Sequence, residues 1–324
     1  MQLQDFGRVA PNLHIASEDE LAAGAWTQDA KAALQSDGAV LLRGPMMRHD
    51  GAEIALSKLD DELLEDAFWS TPRSKIGGKV LTATEYPSPR TIPLHSEMAY
   101  MRTWPRFVCF HSIEVAQEGG ETTICNIDQV SARLGDRLKT FRDKGIMYRR
   151  TFQKRVDIAW QRAFQTEKRS DVEEVGRRLN MKVEWLPNDV LATSHTAQGT
   201  ITAEDGRLIY FNQSHLFHTS ALDPSVRQAL EKAYGADRLP RQALYGDGSP
   251  IPDAELHAVR DAFGAYQTKM CWRPGDILIL DNLRFAHGRL PFTGARRLHV
   301  SLAREVKDTA RKPIFAQELA AASA

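Results

Sequence analysis

No charge of one sign dominates this chain: Lys plus Arg number 42, Asp plus Glu number 42, and the formal net charge is zero. The electrostatic footprint of a nucleic-acid binder or of an anionic-membrane binder is therefore missing, and neither partner is expected. Cysteine is scarce. Cys109, Cys125 and Cys271 are odd in number and widely spaced, which excludes a disulfide framework and a CxxC zinc site. All three are expected to be reduced thiols in or near the core. No apolar run approaches the roughly 20 residues of a membrane span; the strongest, Ile277-Leu278-Ile279-Leu280, is strand-sized. The segment Met1 to Glu20 has no basic start followed by an apolar stretch, so no secretory leader is expected and a reducing cytoplasm is the expected location. Internal repeats, the Gly-x-Gly-x-x-Gly fingerprint, the P-loop and the Gly-x-Ser-x-Gly elbow are all missing. A dinucleotide fold, a P-loop phosphotransferase and a metal-free serine hydrolase lose their usual signals.

What is present is an ordinary globular composition, 42% hydrophobic and 26% charged over 324 residues. A chain of that length can bury a sizeable core as one domain, 1–324. The spacing of apolar residues predicts helices over 27–35, 52–67, 128–142, 171–179, 224–234 and 252–266. Short apolar or β-rich runs predict strands at 39–44, 107–115, 146–152, 183–186, 191–195, 208–211, 270–272, 276–281 and 296–304. A helical insert is expected around 153–182, and a turn through His287 to Gly294. Between 71 and 93 the chain has four prolines, a Gly77-Gly78 pair and little periodicity. A loop so long inside a compact domain suggests a lid over a site. Many short strands with helices outside them make the fold class mainly β with flanking helices, a sandwich or open barrel rather than a βαβ array.

Ten histidines are present, and His95-Ser96-Glu97 stands apart from the rest. Residues two apart on an extended segment point to one side, so His95 and Glu97 can offer an imidazole and a carboxylate to one ion. His287 follows a predicted strand and precedes Gly288; it is the candidate third ligand of a two-His-one-carboxylate iron(II) face. Ten residues on, Arg297 opens a returning strand and is suited to gripping a dicarboxylate with its planar fork. His215 and His218 would share a helix face, but a polar structural role is the better reading of that pair.

His95-x-Glu97, then Gly119-Gly120-Glu121-Thr122, then Trp272-Arg-Pro-Gly-Asp276 with His287 and Arg297, in this order and spacing, resemble the taurine dioxygenase-like (TauD/TfdA) superfamily of iron(II)/2-oxoglutarate oxygenases. The resemblance runs from about Lys79 to about Ala303. It is nearest the branch typified by SyrP, through His-Ser-Glu-Met-Ala-Tyr, Tyr210-Phe-Asn-Gln-Ser-His215 and the run Asp281 to Gly294. The resemblance implies a distorted double-stranded β-helix (jelly-roll) core. It implies His95, Glu97 and His287 as iron ligands and Arg297 with Thr122 on the distal carboxylate of 2-oxoglutarate. It further implies O2 as co-substrate, and hydroxylation of an unactivated C–H bond in an amino acid or derivative, free or tethered to a carrier protein, in a specialised pathway. Desaturation or cyclisation would use the same ligands, and a non-catalytic metal-binding module of the same fold is the other alternative. Thr84, Glu85 and Tyr86 of the lid, Asn212, and Ser301 are the expected substrate-side residues. Ser301 stands where taurine-type members carry a sulfonate-binding arginine, which argues against taurine as substrate. The carboxylate of Glu97 argues against a halogenase, which needs that coordination position vacant. A homo-oligomer is compatible with the sequence.

Overall fold

The computed structural model describes residues 11–44, 49–60, 62–64, 75–83, 86–153, 156–203 and 205–308, and the backbone of residues 4 and 5. Two facing sheets form its centre. The larger has seven strands in the spatial order Asn12–His14, Ala39–Arg43, Ile277–Asp281, Thr103–Glu114, Arg297–Lys307, Val80–Thr82, Lys75–Gly77. The smaller has five, in the order Gln4–Asp5, Thr268–Met270, Thr122–Asn126, Phe285–Arg289, Ile92–His95.

The apolar run at 277–280 is explained by this layering. Leu278 and Leu280 face the smaller sheet, packing with Val108, Phe110, Ile124, Phe285 and Val300. Ile277 and Ile279 face the other way, onto the helices Glu18–Ala23, Thr27–Ser36 and Gly51–Leu59 through Leu21, Ala30, Leu34 and Leu56. A strand covered on both faces needs no polar alternation, and burying each such side chain contributes about 1.5–3 kcal/mol. The smaller sheet also has a second covered face. Leu94, Cys125 and Ala286 pack outward onto the helices Ile127–Leu134 and Asp253–Tyr266 and onto an added four-stranded sheet of Lys182–Leu186, Val190–Ala197, Ile146–Thr151 and Arg241–Tyr245.

Several local expectations shift. The helix predicted at 128–142 is two helices, Ile127–Leu134 and Arg137–Lys144, divided at Gly135, whose φ of +52° ends the first. Asn126 caps it, its side-chain oxygen accepting from the amides of Asp128 and Gln129. The helix predicted at 52–67 stops at Leu59. Part of the expected lid is not a loop: Lys75–Gly77 and Val80–Thr82 form a hairpin on the edge of the larger sheet. Gly77 and Gly78 stand at its turn, where the Lys79 amide donates to Glu53 Oε2 at 3.2 Å. The remainder of the lid at 71–74, together with Thr84 and Glu85, lies outside the described residues. Around 153–182 two short helices occur, Trp160–Phe164 and Arg169–Arg178. Cys109 and Cys125 are buried, but Cys271 is exposed, a correction to the expectation of three core thiols: it follows the strand Thr268–Met270 and lines a surface cleft beside Trp272.

Candidate metal centre

His95 ends the strand Ile92–His95, and His287 lies in the middle of Phe285–Arg289. These strands are antiparallel neighbours, and the two histidines are direct cross-strand partners. Partners so placed project from the same face, and their ring centroids are 4.6 Å apart. The expected turn at His287 is thus a strand, because its flanks pair with Thr122–Asn126 on one side and Ile92–His95 on the other. Gly288 has a matching reason. A Cβ there would stand 2.5 Å from the Ile92 carbonyl oxygen and 2.7 Å from Thr123 Oγ1, so glycine permits close strand approach rather than a tight turn.

Glu97 lies just beyond the strand, in a turn where Met98 adopts φ +56°. Its Oε2 is 3.5 Å from His287 Nε2. One ligand atom from each of His95, Glu97 and His287 falls within 4.8 Å of the others, and among the described residues this is the one such group of three. His95 Nδ1 lies 2.8 Å from the Pro93 carbonyl oxygen. A carbonyl only accepts, so Nδ1 carries the proton and Nε2 keeps its lone pair for an ion. Two imidazole nitrogens and one carboxylate oxygen, all on one side, fit iron(II) with open positions opposite.

A cavity opens beside the two histidines, lined further by Phe110, Thr122, Arg289, Arg296 and Leu298. Thr122 is buried, and its hydroxyl oxygen accepts from the Trp272 indole N–H at 2.9 Å. That leaves the hydroxyl proton for an acceptor in the cavity. Arg296 donates from Nε to the Gly120 carbonyl at 2.9 Å. Burial, then the charge of Arg289, pushes its guanidinium down to about 10. Arg289 is also lowered by burial, and donates to the carbonyls of Tyr86, Pro87 and Arg90. Among the described residues neither arginine has a carboxylate partner within 4.0 Å.

The structure places Arg297 away from this cavity. Its side chain is 53% exposed and sits 3.9 Å from Glu114. Arg296, just before the strand Arg297–Lys307, lines the cavity together with Leu298 and Val300, and Arg297 does not. Ser301 is fully buried and donates to the Lys79 carbonyl at 3.2 Å, and it does not line this cavity. Asn212 is also elsewhere. Its Nδ2 donates to the Gly199 carbonyl and its Oδ1 accepts from Tyr210 and Ser214, so its polar groups are spent on the added layer. Tyr86 is exposed, and its backbone carbonyl receives Arg289. His215 is structural, contacting Leu94 O through Nε2 and the Tyr210 hydroxyl through Nδ1. The residues missed by sequence reading are Arg289, Arg296, Phe110 and Trp272. The parity of Arg296 with Leu298 and Val300 was a usable signal for one of them; the others are brought in by pairing across sheets.

The chain matches the taurine catabolism dioxygenase TauD, TfdA family over residues 2–303. It is 39% identical over 287 residues to the dapdiamide synthesis protein DdaC of Enterobacter agglomerans, covering 88% of this chain and 87% of that one. It is 28% identical over 288 residues to a clavaminate synthase-like protein of Arabidopsis thaliana, covering 84% and 83%. Among solved structures, PvcB, described as an Fe, alpha-ketoglutarate dependent oxygenase from an isonitrile synthetic pathway, aligns with a TM-score of 0.50 at 15% identity over 92% of this chain and 86% of that one. At that identity the likeness is one of fold, and it bears out the jelly-roll core. No helix among the described residues is long and apolar enough to cross a membrane. The chain belongs to the TauD/TfdA family and is an iron(II)- and 2-oxoglutarate-dependent dioxygenase.

Proposed function

We propose that this oxygenase hydroxylates an unactivated C–H bond of an amino acid or amino-acid derivative, with His95, Glu97 and His287 holding the iron. The single observation behind the site assignment is the pairing of a three-ligand face with a cavity whose walls carry two arginines, Arg289 buried and Arg296 half-buried, that have no carboxylate partner among the described residues. A dicarboxylate answers both ends: one carboxylate reaches the metal face, the other the arginines. Bound iron(II), with 2-oxoglutarate and dioxygen, supplies the oxidising power, and the co-substrate leaves as succinate and carbon dioxide.

The chain's own residues orient and select. Arg296 receives the distal carboxylate in a charge-assisted pair, Thr122 donates its hydroxyl proton to the same group, and Arg289 adds positive potential behind them. Phe110, 4.9 Å from the His287 ring centroid to centroid, and Leu298 keep the wall between them apolar. The two-imidazole set lets one carboxylate, Glu97, supply the protein's charge at the ion, leaving the opposite side to substrate molecules. Support for an amino-acid substrate comes from the relative named for dapdiamide synthesis, whether the substrate is free or tethered to a carrier protein. Reduced cysteines and the cofactor chemistry suit a cytoplasmic setting.

The test is an anaerobic titration of apoprotein with iron(II) and then 2-oxoglutarate, reading the weak visible charge-transfer band. The band is expected in wild type and lost in His95→Ala and Glu97→Ala. Folded, iron-loaded protein without a band refutes the site assignment. A screen of free and carrier-bound amino acids for stimulated succinate formation then tests the substrate class; stimulation only by sulfonates or aryloxy acids would overturn it.

A further inference from the structure

The two ladder-borne ligands are positioned by backbone pairing, but Glu97 is not. The register of Ile92–His95 with Phe285–Arg289 ends at His95 opposite His287. Glu97 lies two residues further, in a turn with a left-handed residue directly after it, a conformation that persists only where surroundings impose it. No strand supplies those surroundings. Side chains do. Asn282 is fully buried. Its Oδ1 accepts from the Glu97 amide at 2.7 Å, and its Nδ2 donates to the Glu97 carbonyl at 2.9 Å and to the Pro105 carbonyl at 2.9 Å. One amide side chain thus reproduces both hydrogen bonds that a neighbouring strand residue would make. Gln213, also buried, donates from Nε2 to the Ser96 carbonyl at 2.7 Å and anchors the preceding residue.

We propose that Asn282 is a positioning residue for the carboxylate ligand, setting where Glu97 stands relative to His287. The placement explains how. Asn282 follows the strand Ile277–Asp281 and lies five residues before His287 on the same chain segment. Clamping Glu97 to Asn282 therefore ties the carboxylate to the strand pair that carries the second histidine. The separation of 3.5 Å between Glu97 Oε2 and His287 Nε2 is then held by the protein before any metal arrives. A ligand held in place binds without first paying the entropy of ordering its turn. Outer residues that orient metal ligands typically change affinity by about 10- to 100-fold when removed.

This inference rests on the metal assignment above, and its test separates the two. Full-length apoprotein is titrated anaerobically with cobalt(II), reading affinity and the ligand-field bands, with apoprotein melting measured in parallel. Asn282→Asp keeps the shape and loses both donors; Asn282→Ala loses the whole clamp. Both are expected to bind cobalt about tenfold or more weakly and to shift the bands. Ser131→Ala is the control. It removes buried hydrogen bonds to Ile127 and Tyr210, remote from the ligand turn, and should lower melting while leaving cobalt affinity within about twofold. Wild-type affinity and unshifted bands in Asn282→Asp, with lower melting, would make Asn282 structural only and overturn the proposal. Should neither Asn282 variant fold, Gln213→Met reads the same clamp through Ser96, and unchanged binding there overturns it. Wild-type protein that binds no cobalt overturns the metal assignment and this proposal together.

Discussion

Replacing Arg296 and Arg297 one at a time by alanine separates two neighbours that a sequence motif cannot. Arg296 is half-buried and lines the cavity, whereas Arg297 is 53% exposed, 3.9 Å from a Glu114 that is itself 48% exposed. If Arg296 grips the distal carboxylate of 2-oxoglutarate, truncating it leaves that carboxylate desolvated and unpaired. Removing one member of a buried, hydrogen-bonded charge pair costs about 2–5 kcal/mol, which is roughly thirtyfold to several thousandfold in affinity. Arg297→Ala loses only a loose surface pair worth about 0–1 kcal/mol of stability, so co-substrate affinity should change by less than about twofold. Arg296→Lys keeps the charge without the planar fork and should fall between. The assay is anaerobic 2-oxoglutarate binding to iron-loaded protein, checked by the KM for succinate formation. A large loss in Arg297→Ala with near wild-type binding in Arg296→Ala would refute the strand-parity reasoning and restore Arg297 to the site.

Gly288→Ala should push apart the two strands that carry the histidine ligands, since its Cβ would meet the Ile92 carbonyl oxygen at 2.5 Å; metal affinity measured by equilibrium dialysis should drop by about tenfold or more, and unaltered affinity would show that the strands can yield. His195 and His215 are both held down to about 4 by burial. Their unfolded value is about 6.5, so the unfolded chain takes up protons first and stability falls as pH drops from about 6.5 towards 4; at pH 5.5 each costs about 1.4 kcal/mol. Denaturant unfolding at pH 7.5 and 5.5 should show that loss in wild type and a shallower one in His195→Gln, whose amide can still donate to the Tyr100 carbonyl that His195 contacts at 2.8 Å. Leu280→Ala removes a fully buried side chain between the two sheets and should cost about 2–5 kcal/mol, seen as a lowered unfolding midpoint; a cost below about 1 kcal/mol would mean that the core closes over the cavity.

The candidate metal face was legible early because its requirements are chemical. Only a few residue types ligate iron, and His95-x-Glu97 with a distant histidine meets that need whatever the exact backbone. The strand at 277–281 and the helix at 224–234 were legible for a similar reason, the first from its apolar run and the second from Pro224 at its start. The strands inside the expected lid were not legible because proline and glycine mark irregular chain without saying what it pairs with; Val80–Thr82 finds its partner in residues 299–300, more than 200 positions away. The single helix expected at 128–142 failed at Gly135, where periodicity continued but the backbone did not.

Local periodicity and donor chemistry lie within reach of a sequence because they depend on neighbours a few residues apart. They determined that this chain is mainly β, that His95, Glu97 and His287 form a candidate ligand trio, and that an arginine near 297 is a candidate for the co-substrate. Which of two adjacent arginines faces inward depends on the face a strand presents to another sheet. That Asn282 rather than a strand partner holds Glu97, 185 positions away along the chain, depends on where a ladder ends in space. Both are facts of packing between distant segments, so only the tertiary structure could decide them.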